Sequence, residues 1–161
     1  MQICTHAAAR PGRCFAQPGN AQSLTSQDRT FIEDAAKGGM MEVHMGRLGL
    51  QKGSSNEVKT FSQRLIDDHS KGNNELAMLA KKKGVTLPAD EPANMPKGLE
   101  STSGQTFDMA LAKIATDDHE KDIKAFEKEA NSGSDPDVKE WASKMLPTLH
   151  AHLDAAKAVT K

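Results

Sequence analysis

Between residues 25 and 159, apolar residues recur every three or four positions in four separate runs, the spacing of one buried helix face. The first run predicts a helix from Thr25 or Ser26 to about Gln51 or Lys52, with Thr25 and Asp28 spaced as a capping box. Its inward stripe is Phe31, Ala35, Gly39, Glu42, Met45 and Gly49. A turn at Gly53-Ser54 follows, and Ser54 to Glu57 reads as a second capping box. The second helix runs to about Lys83 with Gly84 as its stop, on Val58, Phe61, Leu65, Asp68, His69, Gly72, Leu76 and Leu79. The third spans about Thr102–Gly104 to Ala130 on Phe107, Leu111, Ile114, Ala115, Asp118, His119, Asp122, Ala125 and Phe126. The fourth opens at Asp135-Pro136 and reaches about Val159 on Val138, Trp141, Met145, Leu149, His152, Leu153 and Ala156. Pro147 lies inside it and predicts a kink or local unwinding near Ser143.

The connections decide the architecture. Two short turns make helices 1 and 2, and helices 3 and 4, antiparallel hairpins. Residues 85–101 contain three prolines and no period. Fully extended they reach about 50 Å, enough to travel the length of a 28-residue helix at about 1.5 Å per residue. The expected fold class is all-α, a four-helix bundle of two antiparallel hairpins joined by a long crossover. Gly38, Gly39, Gly46 and Gly49 weaken helix 1 and are expected to let a neighbour approach closely.

The four stripes are interrupted by polar residues at matching places. Asp67-Asp68-His69-Ser70-Lys71 returns as Asp117-Asp118-His119-Glu120-Lys121. Thr30-Phe31 matches Thr106-Phe107, with Glu42 eleven residues after one phenylalanine and Asp118 eleven after the other. Eleven residues is three turns plus about 20°, so each pair shares a face. Measured from the hairpin turns, Glu42, His69, His119 and His152 fall within about one or two turns of a common level. Imidazole and carboxylate are the usual side-chain ligands of a first-row transition ion, and a buried carboxylate without a cation is costly. Glu42, His69, His119 and His152 are therefore the candidate metal ligands. Asp68, Asp118 and Asp122 are candidates either to ligate or to hold a neighbouring imidazole. His152 is chosen over His150 because it continues the stripe, and His44 is expected to face outward.

Composition narrows the remaining choices. No Tyr, one Trp, five Phe and eight Met accompany many Ala and Lys, a helical composition poor in strand formers. The methionines at 41, 45, 78, 109 and 145 read as core filler rather than as a copper site. Net charge is −1 with both signs interspersed, which argues against a nucleic-acid partner. No apolar run approaches the roughly 20 residues of a membrane-spanning helix. Both cysteines, Cys4 and Cys14, precede the helices, so thiolate chemistry is not expected in the core. Residues 1–24 lack periodicity and an export signal's apolar run, and read as a disordered leader or signal remnant ahead of one domain, 25–161.

The run Phe31 to Val43 followed by Gly46-Arg47-Leu48, the Asp67-Asp68-His69-Ser70-Lys71-x-Asn73 segment with Gly84-Val85-Thr86-Leu87-Pro88, Phe107-Asp108, Asp118-His119, and Leu146-Pro147-x-Leu149-x-x-His152-Leu153 together resemble a bacterial family, domain of unknown function 4142. The resemblance covers about residues 27–158. It implies a ferritin-like four-helix bundle, and adds Asp108 to Glu42, Asp68, His69, His119 and His152 as recurrent polar positions, so that Asp108 joins Asp68, Asp118 and Asp122 as an expected alternative ligand or support for one. It also implies a periplasmic or exported protein; with no signal in this chain, a cytoplasmic location stays open. It brings no established activity. Where the family often has Tyr four residues into the Phe-Asp motif, this chain has Leu111.

The expected function is a metal-binding bundle with a zinc or iron site, stress- or envelope-related, with a structural or storage-like role favoured over catalysis. A redox enzyme using iron or manganese on peroxide or oxygen is one alternative, and a metal-free structural protein another. The Glu-x-x-His motif of dinuclear iron bundles is absent from helices 2 and 4. The expected partner is a metal ion, with no membrane insertion and with homodimerisation left open.

Overall fold

The computed structural model describes residues 24–89, 95–96 and 98–159. Residues 1–23, which hold almost all of the expected leader, lie outside them. Among the described residues there are four α-helices, α1 (Ser26–Lys52), α2 (Asn56–Lys83), α3 (Gly104–Ser132) and α4 (Pro136–Val159), and a 3-10 turn at Leu99–Ser101. There are no strands among the described residues. Each boundary follows local chemistry. Thr25 and Asp28 form the expected reciprocal capping box, and Gly84 ends α2 at φ 67°, a left-handed conformation that suits glycine. Helix α4 continues without interruption through Pro147, so the expected unwinding does not occur. Ser143, whose carbonyl loses its helical donor, is on the exposed side, where water can replace the bond.

α1 packs mainly on α2, and α3 on α4; the α1–α3 and α2–α4 seams are thinner. Polar contacts give the directions. Asp28 at the start of α1 accepts from the backbone N–H groups of Ser134 and Asp135 (2.8 and 3.3 Å), in the α3–α4 turn. Asp108 at the start of α3 accepts from Ser54 and Ser55 N–H (2.9 and 3.0 Å) and from the Ser54 hydroxyl (2.7 Å), in the α1–α2 turn. Lys83 at the end of α2 reaches Asp135 and Asp137 at the start of α4, at 2.6 Å each. Neighbouring helices are thus antiparallel around the bundle, and α2 must cross its length to α3. Val85 and Leu87 lie on one hydrophobic cluster, and Met95 and Leu99 on the other, as a crossover requires.

Two expectations change here. Ser55, not Ser54, caps α2 by accepting from Val58 N–H, because the Ser54 hydroxyl is committed to Asp108. Asp108 stands at the end of the bundle, in contact with a turn rather than with the histidines. Burial pushes its carboxyl up, but the hydrogen bonds from Ser54 and Ser55 outweigh this and hold it below the ordinary range. A carboxylate with a depressed folded-state pKa contributes stability that is complete above the unfolded value of about 3.9 and is lost as pH falls through the folded value. Asp108→Ala is therefore expected to cost about 1–3 kcal/mol at pH 7. The difference from wild type should narrow below about pH 4. Urea unfolding at pH 7 and pH 3 checks this; an equal difference at both would show that the charge is not involved.

The core has two apolar halves. Phe31, Phe126 and Trp141 anchor the first, with ring centroids 4.8, 5.5 and 6.1 Å apart. Phe61, Phe107, Leu65 and Leu111 anchor the second. The methionines divide: Met45 and Met145 are buried, while Met78 and Met109 are on the surface and are not core filler. On α1 three of the four glycines are used as expected, while Gly38 has room for a Cβ. Gly39, Gly46 and Gly49 lie where a Cβ would strike α2 side chains or, at Gly46, the α2 backbone.

Candidate metal centre

Between the two apolar halves each helix contributes one fully buried polar side chain: Glu42, His69, His119 and His152, all 6% exposed or less. They reach this layer because each continues its helix's apolar stripe. One ligand atom from each of the three histidines lies within 4.8 Å of the others, and the ring centroids are 5.1–5.7 Å apart.

The partners of the rings determine where the protons are. Nδ1 of His119 is 2.8 Å from the Ala115 carbonyl, which can only accept, so Nδ1 carries the hydrogen and Nε2 is a lone pair. Nε2 of His152 is 2.8 Å from Asp68 Oδ2 and donates to that carboxylate, leaving Nδ1 as its lone pair. Arg64 stands 3.5 Å from the same Asp68 oxygen. These two lone-pair nitrogens face each other at 3.2 Å. Without a proton or cation between them the contact is repulsive. Two nitrogens held at about 2.0–2.1 Å by one tetrahedral ion stand about 3.3 Å apart, close to this separation. Nε2 of His69 is buried with no hydrogen-bond partner among the described residues.

Electrostatics favour the neutral rings that a metal needs. Burial pushes His119 down to about 4, although its bond to Ala115 opposes the shift. His69 is driven well below the ordinary value by burial and by the two other imidazoles. Burial also lowers His152, against the opposing pull of Asp68. The Asp68–His152 contact is the carboxylate–imidazole pairing that orients a ligating ring.

Glu42 shares the layer but not the cluster. Its Oε1 is 3.5 Å from His119 Nδ1, the nitrogen already engaged by Ala115, so it stands behind the ring and away from the converging lone pairs. Neither of its oxygens has a hydrogen-bond partner among the described residues. Burial raises its carboxyl well above the ordinary range, and Asp122 and Asp118 add to this. Asp118 is half-buried and reaches Lys121 at 3.5 Å. Asp122 is half-buried beside Gly38 and is raised to about 6, chiefly by burial. His150 is exposed and His44 half-buried. The Ala115 carbonyl was missed in the sequence, although a carbonyl four residues before a helical histidine is within reach of its Nδ1.

An internal cavity of about 20 Å³ borders His69 on the side of the first apolar half. Trp141, whose Nε1 is also buried without a partner among the described residues, lines it together with Asn73 and Asp122.

No helix of the described residues is long and apolar enough to cross a membrane. No curated protein matches the sequence. Solved structures with a similar fold include a DUF305 fragment from Deinococcus radiodurans, at TM-score 0.73 and 11% identity over 84% of this chain and 96% of that one. CopM in its Cu(I)-bound form is similar at TM-score 0.69 and 16% identity over 81% and 93%; Cu(II)- and Ag-bound forms of CopM also match. A conserved hypothetical protein, rv2844 from Mycobacterium tuberculosis, matches at TM-score 0.69 and 16% identity over 85% and 99%. At these identities the likeness establishes the helical-bundle fold. Residues 15–159 match the family described as a domain of unknown function, DUF4142, and the chain belongs to that family.

Proposed function

We propose that this protein binds one transition-metal ion among His69, His119 and His152, and that it holds or sequesters the ion rather than using it in catalysis. The observation that carries this is the pair of opposed imidazole lone pairs at 3.2 Å, with a third buried, partnerless imidazole nitrogen beside them. Zinc and iron were the ions expected from a set of three imidazoles and one carboxylate. With Glu42 behind His119, the donor set is three neutral imidazoles, which suits copper and zinc better than iron(II). CopM, of similar fold, is seen holding copper and silver, which makes copper the first ion to test. His119 and His152 supply oriented lone pairs, Asp68 holds His152, and Glu42 brings a carboxyl close to the ion's charge. The resemblance to a family of exported proteins supports an envelope-related role, in which such a site would serve metal stress.

Elemental analysis of protein purified without an affinity tag, followed by competition among Cu(I), Zn²⁺ and Fe²⁺, tests the reading. It expects about one copper or zinc ion per chain, lost on His69→Ala or His119→Ala. A chain that binds no ion, or binds equally well without these imidazoles, overturns it.

A further inference from the structure

The histidine triad is sealed: its three residues are 6% exposed or less. An ion must therefore reach it through the protein, and among the described residues the packing offers an interrupted passage on the α1–α3 side. On the outer surface a groove of about 420 Å³ lies along the thin α1–α3 seam, with Phe31, Asp34 and Glu129 among its lining residues. Beneath it is the 20 Å³ cavity bordering His69, lined by residues from all four helices. Ala35, Asp122 and Phe126 line both spaces. These three side chains form the partition between the groove and the cavity beside His69.

The partition is thin for identifiable reasons. Ala35 has only a methyl group. Gly38 has no side chain to lay over Asp122, although a Cβ there would stand 3.8 Å from Asp122 Oδ2. Asp122 is the only ionisable member of the partition and borders the groove on one side and the cavity on the other. The groove itself carries Asp34, Asp122 and Glu129 against one cation, Lys128. Lined clefts with an excess of one sign concentrate counter-ions and raise association rates about 10- to 1000-fold. At the inner end are two buried nitrogens without partners, Nε2 of His69 and Nε1 of Trp141, on residues that line the cavity. The cavity is large enough for one water-sized occupant, which needs about 10–15 Å³.

We propose that the α1–α3 groove and the inner cavity form the route by which a metal ion reaches the triad, with Asp122 as the carboxylate that receives the ion between them and Ala35 as the constriction it passes. This rests on the triad being the metal site. On the opposite side, along α2 and α4, the Asp68 carboxylate is already engaged by His152 and flanked by Arg64, a repelling charge for a cation.

Uptake kinetics test the route. Trp141 is the chain's single tryptophan and borders the cavity, so its quenching by Cu²⁺ in stopped flow reports arrival. Asp122→Asn, which keeps shape and removes charge, and Ala35→Leu, which fills the constriction, are each expected to slow uptake at least about tenfold. Because the triad is untouched, uptake and release should slow together, leaving affinity by equilibrium competition within about threefold. Asp68→Asn is expected to do the reverse: uptake at the wild-type rate, affinity weakened about 10- to 100-fold. Asp122→Asn taking up copper at the wild-type rate overturns the route, as does slowed uptake in Asp68→Asn. Failure of the triad itself is read separately, from His119→Ala still binding copper with wild-type affinity.

Discussion

Loading the protein with copper or zinc is expected to raise its melting temperature by about 8–16 °C over the chelator-treated form, and His119→Ala is expected to erase that shift. An ion at a thousandfold above its dissociation constant stabilises the folded state by about 4.1 kcal/mol. For a chain of this length each kcal/mol moves the midpoint by about 2–4 °C. The physical basis is that the metal-free layer is frustrated: two lone pairs are held face to face at 3.2 Å by bonds that each ring makes elsewhere. An ion bound there would be held by the two facing nitrogens of His119 and His152 and by His69, which would relieve the repulsion. His119→Ala removes one donor and its anchoring bond to Ala115 together, so little of the gain should remain. Calorimetry with and without chelator decides it. Identical midpoints in wild type would mean that the layer is a hydrogen-bonded network without metal.

Gly46→Ala is expected to destabilise the bundle by about 1–3 kcal/mol, although alanine is the better helix former by about 1 kcal/mol. A Cβ at Gly46 would sit 2.7 Å from the Ser62 backbone oxygen and 2.8 Å from Ile66 Cγ1. The oxygen belongs to the α2 backbone and has no rotamer to change, so relief requires α1 and α2 to part. Gly39→Ala is the informative contrast. Its Cβ would meet only the amide end of Asn73, which can turn aside, so its cost should be smaller. Denaturant midpoints of the two variants test the ordering, and a Gly46→Ala protein as stable as wild type would refute the close backbone approach.

Much of this structure could be read in the chain because its signals are local or periodic. The helix boundaries followed from Thr25 and Asp28, Gly84 and Asp135-Pro136, all of which act on backbone within a turn of themselves. The common level of Glu42, His69, His119 and His152 followed from counting along helices of known rise. Direction within that level was harder. Whether Glu42 joins the imidazoles or stands behind one depends on the rotation of α1 about its axis, which a count of residues does not measure. Asp108 was misplaced for a different reason. Its partners, Ser54 and Ser55, come from a turn 53–54 residues away and arrive only because α1 and α3 are antiparallel. A clue did exist. Asp28 and Asp108 stand three before Phe31 and one after Phe107, a difference of four residues and hence one turn of the same helix face. Surface methionines at 78 and 109 carry no signal that distinguishes them from buried ones.

That pair of aspartates has a wider consequence. Each hairpin carries the carboxylate that closes the other hairpin's turn, so the alignment of the two halves is specified by hydrogen bonds at both ends of the bundle. The histidine layer in the middle, where His152 bonds Asp68 across the hairpins, is thereby not left to register the helices alone. If the layer holds an ion as proposed, substitutions that change its donors should leave the reciprocal clasp at both ends in place, so that donor set and hairpin alignment can be varied separately.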